Sequence, residues 1–344
     1  MRAPVEVQAS ARGPMARLWQ HVDGDITAMS IWTERIRGRG EDADPLLLLH
    51  RPDSAGLIAV FDGVGGAGRS SAGRTAAGLP RTQAWVAARR ARSITEDWFV
   101  HNGPTGDPTT LAEAFATHLA KGSTAQQRIR GSIHREFPST MAAISFVRQR
   151  AEVRWNVLWA GDSRCYVAEP VAGLQQLSRD DVDVADGLEL LVQDPPMTNM
   201  VCVGRDFRVN AMPGNAPLPC VLLCATDGCF GYVDTPALFE LLLWETLEFA
   251  QDGRHWAALL ADRIASVTRD DASLVLLALG FPGLDVLKAS FRARLNLLRA
   301  EHGRPMAAVP QADRAALVAA RELSWQFYRR DYERRLPLLD GDVR

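Results

Sequence analysis

Asp62 stands at the end of a short apolar run, Leu57 to Phe61, and is followed by three glycines within four positions, Gly63, Gly65 and Gly66. An apolar run of that length reads as a buried strand. Glycine lets the chain turn sharply and lets a ligand approach the backbone. The Asp62 carboxylate and the Gly63 carbonyl are therefore presented together, as oxygen ligands of a hard cation are. The same pattern recurs. Cys220 to Ala225 runs into Thr226-Asp227-Gly228, and Val153 to Trp159 runs into Gly161-Asp162-Ser163-Arg164. Two acidic pairs precede apolar runs: Glu41-Asp42 before Leu46 to Leu49, and Asp270-Asp271 before Leu274 to Leu279. Clustered carboxylates without His or Cys select magnesium or manganese. Two such ions about 3.5–4 Å apart can activate water for in-line attack on phosphorus. Arg37, just before Glu41, could grip phosphate oxygens with both arms of its guanidinium. The chemistry is phosphate ester hydrolysis.

The glycine-rich stretch admits other readings. Gly63-x-Gly65-x-x-Gly68 matches a dinucleotide fingerprint, and Gly63-x-x-x-x-Gly68-Arg69-Ser70 is one residue from a nucleotide-binding P-loop. A P-loop needs lysine as a compact charge at the phosphates, which Arg69 does not replace. Val221 to Asp227 resembles the apolar run that ends in a magnesium-holding Asp in P-loop proteins. A P-loop nucleotide hydrolase is thus the competing enzyme.

The elements that must carry these residues follow from pattern and punctuation. Residues 1–21 read as a loose N-terminal segment. Strands are expected at 26–33, 46–49, 57–61, 141–147, 153–159, 165–168, 220–226 and 274–279. The alanine- and arginine-rich stretch from Arg69 to Arg92 reads as helix broken at Pro80. Asp107-Pro108 and Thr235-Pro236 each read as a cap followed by proline at the first helical position. Helices are further expected to continue through 128–135 and at 256–267, 284–301 and 312–336. The polar stretch 175–215 reads as irregular chain, a flap over the site.

With 344 residues, 47% of them hydrophobic, the chain can bury a large core. A net charge of −2 gives no basic surface for nucleic acid. No apolar run reaches the ~20 residues of a membrane span. Five cysteines without a CxxC pair suggest buried, reduced thiols and a cytoplasmic chain.

Six blocks in order carry a resemblance: Arg37-x-x-x-Glu41-Asp42, Val60-Phe61-Asp62-Gly63-Val64-Gly65-Gly66, Pro138-Ser139-Thr140, Gly161-Asp162-Ser163-Arg164, Thr226-Asp227-Gly228 and Asp270-Asp271-Ala272-Ser273. Together they resemble the metal-dependent serine/threonine protein phosphatases of type 2C, in their bacterial form. A P-loop explains only two of them. The resemblance implies an α+β fold, a four-layer α-β-β-α sandwich of two antiparallel sheets. It implies a phosphatase domain over 22–280 and a C-terminal helical extension over 283–344 that the minimal domain lacks, separable from hydrolysis of a small substrate. Two tight Mn²⁺ or Mg²⁺ ions are implied, with Asp62 bridging, the Gly63 carbonyl on one ion, and Asp227 and Asp270 on the first. Glu41 and Asp42 would support the pair, Asp162 would share a third, weaker ion with Asp227, and Arg37 would hold the phosphate. The implied partners are phosphorylated proteins and a cognate Ser/Thr kinase. A catalytically weak adaptor that binds phosphoproteins through residues 284–344 is a further alternative. Three departures stand out. Val64 replaces a proton-donating histidine found in animal members. Met141 replaces threonine after Pro-Ser-Thr. Asp271 replaces the usual asparagine, adding a negative charge.

Overall fold

The computed structural model describes residues 16–74, 78–119, 121, 136–183, 196–310 and 312–337. Two antiparallel sheets lie face to face. The first has the order β1 (Ala16–Asp23), β2 (Ile26–Thr33), β15 (Ala272–Leu279), β14 (Cys220–Ala225), β10 (Arg164–Glu169), β11 (Gly173–Gln176). The second has the order β13 (Asn210–Pro217), β9 (Glu152–Ala160), β8 (Met141–Arg148), β4 (Ala55–Val60), β3 (Leu46–His50). Two short ribbons flank them: β5 (Ser71–Arg74) with β6 (Pro80–Thr82), and β7 (Glu136–Ser139) with β12 (Val201–Val203).

The unbroken apolar runs are explained by burial on both faces. Along β15, Val275, Leu277 and Leu279 point between the sheets, where they meet Ile58, Val60, Ile144 and Leu222. Leu274, Leu276 and Ala278 point outward into a second core. That core is closed by the single turn α3 (Asp227–Phe230), α4 (Pro236–Phe249), α5 (Gly253–Val267) and the C-terminal helices. On the other side, Leu57, Ala59 and Phe61 pack beneath α1 (Gln83–Asn102) and α2 (Pro108–His118). The result is four layers, α-β-β-α. The caps act as the residue types predict. Asp107 accepts from Thr109 N, and Thr235 accepts from Leu238 N, with proline next in each case.

The structure departs from the sequence reading at several elements. Residues 16–21 are not loose but form most of β1, paired along its length with β2. Residues 71–74 and 80–82 pair as antiparallel strands rather than forming a helix, and α1 starts only at Gln83, capped by Thr82. Phe137 to Ser139 belong to a strand, β7. The supposedly irregular 175–215 contains the eight-residue strand β13, paired with β9 from end to end. The helix expected over 128–135 and most of the central flap, 184–195, lie outside the described residues. All five cysteines are buried and free. Among the described residues no helix is long and apolar enough to cross a membrane.

Beyond Gly283 come α6 (Leu284–Leu298), a π-helical turn (Arg299–Gly303), α7 (Arg304–Ala308) and α8 (Arg314–Tyr332). Their side chains share the outer core of the first sheet. Phe291 stacks on Trp244 with ring centroids 3.9 Å apart, and Trp325, Tyr328 and Tyr332 are buried in the same cluster. Glu240, wholly buried on α4, is held by Arg294 at 2.7 Å and by the Tyr328 hydroxyl at 2.7 Å. A chain ending at Pro282 would lose Arg294 and Tyr328, leave that carboxylate the Trp244 indole N–H at 2.9 Å, and bare the apolar outer core that these helices cover. Such a chain is expected to be insoluble or molten, against the separability that motif order suggests. A soluble, cooperatively unfolding 1–282 chain, seen by circular dichroism on heating, would show the extension to be independent.

Candidate active site

Antiparallel pairing brings the acidic strand ends to one edge of the sandwich. Ala225, at the end of β14, pairs with Leu274 near the start of β15 and with Arg164 at the start of β10. Asp227, Asp270 and Asp162 therefore leave the first sheet at the same end. In the second sheet Val60 pairs with Ala142, and Met141 with Ala160. Asp62 and the Gly161-Asp162 turn thus meet there too. The two sheets present these ends side by side.

The chain around Asp62 is fixed from several directions. Its carbonyl accepts from Thr140 N at 2.8 Å and from the Ser139 hydroxyl at 2.9 Å. The Thr140 hydroxyl bonds that of Ser163 at 2.6 Å, tying the Asp62 turn to the Asp162 turn. Gly63 is required by close approach. A Cβ there would stand 2.6 Å from the Ala84 carbonyl oxygen and 2.8 Å from that of Glu41. Asp42 is 1% exposed and accepts from the Thr226 hydroxyl at 2.9 Å.

The loop bearing Arg37, Glu41 and Asp42 is gripped along its backbone. Buried Glu34 accepts from Gly38 N at 2.7 Å and Gly40 N at 3.0 Å. Asp271 accepts from Arg35 N at 2.8 Å and Glu41 N at 2.6 Å. A carboxylate offers both oxygens for this double role, whereas asparagine has one. Arg89 donates to the Glu41 carbonyl at 3.1 Å, and the Thr82 hydroxyl to Glu41 Oε1 at 2.5 Å. Arg37 itself is exposed.

The electrostatics divide the acids into two adjoining groups. Burial, followed by the charges of Asp42, Asp227 and Asp162, pushes the Asp62 carboxyl far above the usual range. Burial, then Asp227 and Asp180, does the same to Asp162. Asp42 is pushed up to about 8, by burial first and by Asp271 and Asp227 after its hydrogen bond with Asp62. The second group is Glu41, Asp270 and Asp271. Glu41 is raised by burial and by both aspartates, against its hydrogen bond from Thr82. Asp270 accepts from Asp271 N at 2.8 Å. Among the described residues no three acidic, His or Cys side chains converge closely enough to form a ready-made metal cage. One oxygen is conspicuous: Asp162 Oδ1 is buried and has no hydrogen-bond partner.

These shifts have a direct consequence for EDTA-treated protein. Asp42 holds its proton to about pH 8 when folded but releases it near 3.8 when unfolded. The folded state then binds more protons, so stability falls as pH rises through that window, by on the order of 5 kcal/mol at most. Without metal, Tm should drop between pH 5 and pH 8, and Asp42→Asn should flatten the drop. A Tm that stays level or rises would contradict the mutual burial of these acids.

Sequence reasoning picked out Arg37, Glu41, Asp42, Asp62, Gly63, Asp162, Asp227 and Asp270. The structure brings Asp42, Asp62, Asp162 and Asp227 together, sets Glu41 and Asp270 beside them, and leaves Arg37 exposed on the loop that carries Glu41 and Asp42. It adds Glu34, Thr82 and Arg89 as supports. Thr82 had no local signal, because the hairpin that it ends read as helix, and Arg89, on α1, meets Glu41 only through the fold.

The site is a set of acidic strand ends gathered at one edge of a two-sheet α-β-β-α sandwich. The family model described as Protein phosphatase 2C matches residues 39–270. The chain belongs to that family and is a metal-dependent phosphatase. Arg37 and the helices beyond Gly283 lie outside the matched span. Two solved structures have the same fold. One is a variant of a bacterial serine phosphatase, 16% identical, TM-score 0.50, covering 75% of this chain and 99% of its own. The other is the PPM Ser-Thr phosphatase MsPP from Mycobacterium smegmatis in complex with cacodylate, 14% identical, TM-score 0.50, covering 74% and 98%. No curated protein sequence matches the chain.

Proposed function

We propose that the chain is a protein serine/threonine phosphatase that hydrolyses phosphoserine and phosphothreonine monoesters at a dinuclear manganese or magnesium site. One observation carries this reading: burial raises the carboxyls of Asp42, Asp62 and Asp162, the charge of Asp227 raises each of them further, and Asp162 Oδ1 has no hydrogen-bond partner. All-oxygen donors of this kind fit hard cations, which would relieve the repulsion. Asp62, the Gly63 carbonyl, Asp227 and Asp270 would hold the tight pair, with Glu41 and Asp42 in support and Asp162 at a third, weaker position. Ions there would supply a water of lowered pKa and offset the negative charge of the phosphate. Arg37 would receive the phosphate oxygens with its two-armed guanidinium. Val64, in the turn after Asp62, has no proton to give, so the leaving alkoxide takes its proton from water that Asp162 orients. Phosphorylated proteins and a partner kinase follow from the reading, as does work in the cytoplasm.

The P-loop alternative needs a helix immediately after the glycine turn. Residues 71–74 form strand β5 instead. An inert adaptor has no need of five strand-end aspartates. The test is phosphate release from a phosphothreonine peptide with and without manganese, beside ATP. Release from the peptide alone, abolished by EDTA, is expected. Hydrolysis of ATP in preference to the peptide, or full activity in EDTA, would defeat the proposal.

A further inference from the structure

Two loops border the carboxylate site, and both carry arginine without acid. Residues 35–40 read Arg-Ile-Arg-Gly-Arg-Gly, and residues 63–82 contain Arg69, Arg74 and Arg81 but no aspartate or glutamate. The loops lie side by side. Arg81 Nη1 donates to the Gly38 carbonyl at 2.8 Å, Thr82 bonds Glu41, and the charge of Arg69 reaches the Glu41 carboxyl.

The acids near the first loop are turned into its frame. Glu34 is 4% exposed and holds Gly38 N and Gly40 N, while Asp271 holds Arg35 N and Glu41 N. The arginines point the other way. Arg35, Arg37, Arg39, Arg69 and Arg74 are all exposed. None of the five has an ion-pair partner among the described residues, whereas Arg17, Arg51, Arg92 and Arg148 pair with Asp44, Asp23, Glu96 and Asp25. Arg74 reaches only the Gly78 carbonyl, at 2.8 Å.

We propose that these arginines form a basic rim that selects phosphoprotein segments carrying further anionic groups beside the phosphate to be removed. The proposal rests on the phosphatase reading above and names its substrate class. Arg37 meets the scissile phosphate; Arg39, Arg69 and Arg74 meet neighbouring aspartate, glutamate or a second phosphate. A net charge of −2 gives the chain no excess of basic groups for a nucleic-acid backbone. Rim charges act on encounter and on KM, and salt screens them. One exposed pair changes affinity by a small factor, and three acting on a multiply charged segment by about tenfold at low salt.

The test compares three phosphothreonine peptides that differ only in their flanks: neutral, glutamate-flanked, or with a second phosphothreonine. Both anionic peptides should have kcat/KM about tenfold above the neutral one, through KM, with the advantage fading in salt. Arg39→Gln/Arg69→Gln/Arg74→Gln should erase the advantage and leave turnover of a small aryl phosphate unchanged. An advantage for one anionic peptide alone, lost in the triple variant, identifies which group the rim reads. Equal rates on all three peptides, or an advantage that survives the triple substitution, overturns the rim. Fluorescence anisotropy of labelled peptides reads the same preference without turnover. If no peptide is hydrolysed but anionic ones bind more tightly to the unaltered chain only, the rim stands and the phosphatase reading falls. Tighter binding of a single-stranded oligonucleotide of equal charge would overturn the peptide assignment.

Discussion

Asp62→Asn is expected to lose about 10³-fold or more in turnover on a phosphothreonine peptide while remaining folded. The side chain keeps its shape, so the contacts around the Asp62 backbone, from Thr140 N and the Ser139 hydroxyl, survive. What is lost is one negative charge at the point where Asp42, Asp227 and Asp162 press on it. On the proposed reading Asp62 would be shared by two cations, so removing its charge would weaken both positions together, and losing several kcal/mol of charge stabilisation in the transition state amounts to that factor. Metal-free Asp62→Asn protein should be at least as stable as the unaltered chain at pH 8, because one buried like charge has gone. Undiminished turnover, or a collapse of metal-free stability, would show that Asp62 holds the fold and not the reaction.

Asp162→Ala should cost on the order of 10²-fold in turnover, the usual scale of one proton-transfer contribution. The residue sits between two well-tied neighbours. Gly161 N donates to Asp181 at 2.9 Å, and Arg164, 3% exposed, is clasped by Asp180 at 2.7 Å and touched by the Tyr332 hydroxyl at 3.4 Å. The turn is therefore held without the Asp162 carboxylate, whose buried Oδ1 bonds to nothing. Removing it should leave two tightly bound manganese ions in calorimetry and slow the step in which the alkoxide gains a proton. Near-normal turnover would reduce Asp162 to a turn residue. Loss of the tight ions would move it into the bridging set.

The parts of the site that sequence made legible are those whose physics is local. Each central strand is buried on both faces, so it reads as an apolar run. Each run stops where a carboxylate or glycine begins, as at Asp62-Gly63 and Asp227-Gly228. The elements that escaped notice are edges. β1 and β13 lie at the margins of their sheets, and an edge strand needs neither strong strand formers nor an unbroken set of N–H donors. β13 accordingly carries Pro213, Gly214 and Pro217 and looked like irregular chain. The β5–β6 hairpin failed for the opposite reason: alanine and arginine favour helix, yet Pro80 and the glycines Gly73 and Gly78 at φ +125° and +77° turn the chain back on itself. With that hairpin misread, Thr82 could not be placed against Glu41. Asp271 looked like an unwelcome charge until its two oxygens were seen holding two backbone N–H groups.

The most direct measurement is anomalous diffraction from a crystal of the full chain grown with manganese. Two peaks are predicted about 3.5–4 Å apart, with Asp62 between them and Asp227 and Asp270 on one. Manganese absent from the space bounded by Asp62, Asp162 and Asp227, in crystals of protein that binds manganese in solution, would contradict the account.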